Sequence, residues 1–106
     1  MNRQQQIDEF LLNAHKLALM RLRAEPQRLD DVKALLGRWR AQSGPTRSDI
    51  YRDEWDAIVD EGVEAIDHAA GGQGDHAAAL RNVSPLSVLI SQRERAALLR
   101  QARQMA

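Results

Sequence analysis

The apolar residues of this chain recur at three- and four-residue spacing in successive blocks, which is the period of amphipathic helices and not of strands. Between residues 4 and 24, Ile7, Phe10, Leu11, Ala14, Leu17, Ala18 and Leu22 share one broad face. Leu12 and Leu19 fall on its flank and Met20 lies further round. Glu25 precedes Pro26, and a residue before proline is biased away from helix, so the first helix is expected to end near Ala24. A second helix is predicted over residues 28–42, with Leu29, Val32, Leu35, Leu36 and Trp39 inside one third of the circle. Its first turn carries Asp30 and Asp31 and its last part Arg38 and Arg40, which suits the helix dipole at both ends. Ser43-Gly44-Pro45 reads as a stop and a turn.

The third helix is expected to be capped by Thr46 or Ser48. Tyr51, Trp55, Ile58, Val59 and Ile66 form its apolar face, and Asp49, Asp53, Asp56, Asp60 and Asp67 lie opposite, with Glu64 beside them. Gly62 either interrupts this helix or sits inside it at a cost of about 1 kcal/mol relative to Ala. Gly71-Gly72-Gln73-Gly74 reads as a flexible break, after which Asp75 is placed to cap a short helix ending near Asn82. Ser84-Pro85 has the form of a cap and first helical position, and Leu86, Val88, Leu89 and Ile90 are candidates for the core. Ser91 with Glu94 three residues on is a capping box. It opens a last helix with Leu98, Leu99, Ala102 and Met105 on one side and Arg93, Arg100 and Arg103 on the other. The expected architecture is all-α, a bundle of about five or six short helices in a single domain over residues 1–106, with the flexible break near 71–74.

Composition narrows this further. With 106 residues the chain has room for one modest core. It has no cysteine, which excludes disulfides, thiolate zinc sites and a cysteine nucleophile. The longest apolar run, residues 17–20, is far too short to span a bilayer, and residues 1–6 are polar, unlike a signal peptide. A cytoplasmic bacterial protein is expected.

The formal net charge of zero hides a segregation. Residues 1–47 carry nine Lys or Arg against five Asp or Glu, residues 48–79 one against nine, and residues 80–106 five against one. Thirteen of the fifteen cations are Arg, whose rigid donor fork suits carboxylate and phosphate. Either basic helices lean on an acidic helix of the same molecule, or the acidic helix docks a charged partner.

No catalytic motif is visible. His68 and His76 follow aspartates eight positions apart, but no metal-ligand spacing accompanies them, and no metal or cofactor is expected. The glycine run lacks the Lys-Ser/Thr of a phosphate loop. The first helix is apolar around more than half its girth, so Leu12, Leu19 and Met20 are candidates for contact with a partner or a second copy.

From Arg38 onward the sequence resembles a group of short bacterial all-α proteins of antitoxin or accessory type. The resemblance is carried by Arg38-Trp39, by Glu54-Trp55, and by Leu80-Arg81 followed by Ser84-Pro85 and Glu94-Arg95. In that group Phe usually follows the proline and Gly often stands at the place of Val88, whereas this chain has Leu86 and Val88. The resemblance implies a non-enzymatic protein that binds a toxin encoded nearby. On that reading Asp49, Asp53, Asp56, Asp60 and Glu64 cover a basic cleft of the partner, their carboxylates standing in for phosphates. The alternative is a small DNA-binding transcriptional regulator using Arg93, Arg100 and Arg103, which the acidic middle segment opposes by repelling a duplex.

Overall fold

The computed structural model describes residues 2–42 and 49–104. Asn2 opens the first helix, α1 (Arg3–Ala24), through a capping box: its side chain accepts from the Gln5 amide at 2.8 Å, and Gln5 answers on the Asn2 amide at 2.9 Å. As the sequence predicts, α1 ends before Glu25, and Pro26–Arg28 form a single 3-10 turn into α2 (Leu29–Gln42). Then follow α3 (Asp49–Glu61), α4 (Val63–Ala70), α5 (Asp75–Asn82), a second 3-10 turn at Pro85–Leu89, and α6 (Gln92–Gln104). The described residues contain six α-helices and no strand, so the all-α bundle stands. None of these helices is long and apolar enough to cross a membrane.

α1 is the central element, packing against α4, α5, α6 and the Pro85–Leu89 turn. That position explains its wide apolar girth: Phe10, Ala14, Ala18, Leu19 and Leu22 are all buried, on more than one side. Leu19 is therefore part of the chain's own core, which corrects the expectation that it serves a partner. Leu12 is half-buried and Met20 is 68% exposed. The rest of the core comes from Val32 and Leu36 of α2, Trp55 and Val59 of α3, Ile66 and Ala70 of α4, Leu80 of α5, and Leu86 and Leu89. Burying each such Val, Leu or Ile contributes about 1.5–3 kcal/mol, so the spacing read from sequence has a direct energetic meaning. Trp55 is fully buried and its indole N–H donates to the Leu80 carbonyl at 2.9 Å, which joins α3 to α5.

Residues 49–68 do not form one rod. Gly62 has φ 106° and ψ −173°, a backbone region open essentially to glycine alone, and splits α3 from α4. Nor does Asp75 cap α5. Gly74, at φ 96°, holds the cap position without a side-chain bond, and Asp75 is the first helical residue, where its charge meets the positive end of the dipole. The other two caps form as expected. Ser84 accepts from the Leu86 amide at 3.1 Å, and Ser91 and Glu94 cap α6 reciprocally at 2.8 and 3.1 Å. The predicted Ser43-Gly44-Pro45 turn, the caps Thr46 and Ser48, and Met105 lie outside the described residues.

Candidate functional site

The acidic residues expected to form a partner surface sit on α3 and α4. Asp53, Asp60 and Glu64 have side chains 72%, 77% and 78% exposed, while Asp56 is 29% exposed. The side chain of Asp49 lies outside the described residues. The break at Gly62 places Glu64 and Asp67 on a different helix from the three aspartates.

These carboxylates are not free. Arg40 of α2 reaches Asp53 at 3.0 Å and pairs with Asp56 as well. Lys33 stands 4.0 Å from Asp60. Arg23 of α1 bridges Glu64 at 2.9 Å and Asp67 at 2.6 Å, and the bond from Glu64 holds that guanidinium above its ordinary pKa. Glu54, outside the stripe, meets His76 at 2.6 Å. Basic residues of α1 and α2 thus lean on the acidic helices, and the segregated charge is partly settled inside the molecule. It is not settled fully. α3 and α4 together carry eight acidic residues and Arg52, and among the described residues Arg23, Lys33 and Arg40 are the Lys and Arg of neighbouring helices that reach them. Exposed ion pairs are worth about 0–1 kcal/mol, so such carboxylates exchange one cation for another easily.

The basic residues of α6 show the reverse. Arg93, Arg100 and Arg103 are all exposed, and none of them meets an acidic side chain among the described residues. Glu94, the one carboxylate of α6, is taken by Arg21.

A third feature escapes the sequence reading. A cleft of about 300 Å3 is bounded by α1, α2, α3, α5, the Pro85–Leu89 turn and α6. Its lining includes Arg52, Arg81, Arg95 and His15, with Trp39 and the apolar Leu11, Ala18, Leu86 and Ile90, and among the described residues no Asp or Glu. Arg52 places its guanidinium 5.6 Å from the centre of the Trp39 ring, and Arg95 lies 5.1 Å from that of Phe10, both within cation–π range. Arg81 is buried and donates from one terminal nitrogen to the carbonyls of Ala70 at 2.9 Å and Gly72 at 2.8 Å, which closes the end of α4 and fastens the glycine run. His15 is 5% exposed. Its Nδ1 lies 2.7 Å from the Leu11 carbonyl, and its Nε2 is buried without a partner. Burial, with the Arg81 charge adding to it, pushes the imidazole below its ordinary pKa, against the opposing effect of the Leu11 bond. The signal that could have found these two residues is periodic. His15 stands four positions from both Leu11 and Leu19, and Arg81 four from Ala77, on faces that are otherwise apolar.

His68 and His76 are exposed, and no group of three or more His, Asp or Glu among the described residues is placed to hold a metal ion. Compared with known proteins, the chain matches no family model, no curated protein and no solved structure.

Proposed function

We propose that the chain is a non-enzymatic protein-binding module, of antitoxin or accessory type, whose α3–α4 surface docks a basic site on a partner protein. The observation that carries this reading is the high exposure of Asp53, Asp60 and Glu64 on a surface that keeps more acidic than basic charge after its internal pairs are made. A partner's arginines would take over carboxylates now held weakly by Arg23, Lys33 and Arg40, with encounter speeded by steering. Met20 of α1 and Ile50 of α3, 68% and 69% exposed, supply apolar surface of the kind an interface uses. The partner is expected to be a toxin encoded beside this chain, acting in the bacterial cytoplasm, and its active cleft would be one built for phosphate-bearing substrates.

A second reading rests on a different surface. Arg93, Arg100 and Arg103 face solvent with no acidic partner among the described residues, as duplex binding would require. Two measurements separate the readings. Co-purification of the adjacent gene's product with wild-type chain, lost on Asp53→Lys/Asp60→Lys/Glu64→Lys and kept on Arg93→Ala/Arg100→Ala/Arg103→Ala, supports the protein-binding reading. A mobility shift of duplex DNA at low salt, abolished by the arginine triple variant, would replace it with the second.

A further inference from the structure

We propose that the outward face of α6 docks in the groove between α3, α4 and α5 of a second copy of this chain, so that copies join head to tail. The groove has a volume of about 370 Å3. Its floor is apolar, with Ile58 of α3, Ala69 of α4, and the buried Ala77 and Leu80 of α5. Its rim carries two carboxylates of α3. Glu61 is exposed, and Glu54, half-buried and 2.6 Å from the His76 ring, stands seven positions earlier on the same helix face.

α6 offers the complement in both charge and register. Arg93, Ala96, Ala97 and Arg100 fall within one third of its circumference, and all four are exposed. The alanines let the helix backbone approach an apolar floor closely. Arg93 and Arg100 are also seven positions apart, so both the cations and the carboxylates are spaced by about 10.5 Å along their helices. Each guanidinium can therefore present its donor fork to one carboxylate.

Within one chain α6 packs on α1 and leaves this arginine face exposed. The groove and the α6 face are different patches, so the contact is heterologous and builds rings or open chains, not an isologous pair. A formal net charge of zero removes long-range repulsion between copies. The surface is also separate from the one assigned to the partner protein, because Asp53, Asp60 and Glu64 lie outside the groove lining.

Sedimentation velocity of the full chain, over a concentration series reaching the millimolar range, tests this. At low salt the average mass should rise at least twofold above that of one chain, and high salt should return it to one chain, because exposed pairs are screened. Arg93→Glu/Arg100→Glu and Glu54→Lys/Glu61→Lys should each stay single chains, and an equal mixture of the two should associate again. Glu61→Lys alone, at an exposed position, should weaken association at least threefold, and it serves as the groove variant if the double substitution disturbs the circular dichroism. A wild type that remains a single chain at every concentration would overturn the proposal. So would association that survives high salt or the arginine substitutions, or a mixture of folded variants that stays dissociated.

Discussion

Arg21 and Glu94, 73 positions apart, meet through two parallel hydrogen bonds of 2.7 and 2.6 Å, and the same Arg21 nitrogen also donates to the Leu89 carbonyl at 2.8 Å. One guanidinium thus ties the middle of the bundle to the start of its last helix, while Glu94 simultaneously completes the cap with Ser91. The Arg21 bond, helped by the Ser91 amide, holds the Glu94 carboxyl at a pKa of about 2, below its ordinary 4.5. A carboxyl depressed in the fold adds stability that is complete above its unfolded pKa and is lost as pH falls toward the folded one. Glu94→Gln should therefore melt at a lower temperature than wild type at pH 7. The gap should narrow as the pH is taken from 4.5 toward 2, as followed by circular dichroism. A gap that stayed constant with pH would show that the charge contributes nothing.

His15 titrates in a separate window. Burial lowers its pKa from 6.5, so the unfolded chain binds a proton that the folded chain refuses, and stability declines as pH drops below that value. NMR titration of the ring protons should give a midpoint lower in the folded protein than in the urea-unfolded chain. An equal or higher folded midpoint would contradict the buried, neutral ring.

Trp55→Phe would keep most of the aromatic volume but strip the Leu80 carbonyl of its 2.9 Å donor. The carbonyl keeps the Val83 amide at 3.3 Å, so the loss is of one buried hydrogen bond and should cost about 0.5–1.5 kcal/mol, seen as a lower urea midpoint with an unchanged slope.

Two glycines should respond with opposite signs. A Cβ at either Gly62 or Gly37 meets nothing within 4 Å, so only the backbone differs. Gly62→Ala forces a side chain into a positive-φ region and should destabilise by about 1–3 kcal/mol. Gly37→Ala, inside α2, should stabilise by about 0.5–1 kcal/mol. Chemical denaturation of the two variants checks both values.

The helical fold was legible because its determinants are local. The period of the apolar residues, Pro26, Ser84-Pro85 and the Ser91–Glu94 box each act within a few positions and appear where the spacing puts them. Gly62 was legible as a question and not as an answer, since a glycine within a helical pattern fits either a break or an interior, and only the packing of α4 against α1 decides. The acidic stripe was visible as a pattern, but its cations were not. Arg23 lies 41 positions from Glu64, and no periodicity predicts a meeting at that separation. The basic cleft was less legible still, because its arginines come from three different helices and each reads singly as surface charge.

The most direct test of the account is the dissociation constant of the complex with the neighbouring gene's product, measured for wild type and for Asp53→Lys/Asp60→Lys/Glu64→Lys across a salt series. The account predicts at least a hundredfold weaker binding by the variant at low salt, a wild-type affinity that falls as salt rises, and unchanged circular dichroism. Equal affinities for the two proteins at every salt concentration would contradict it.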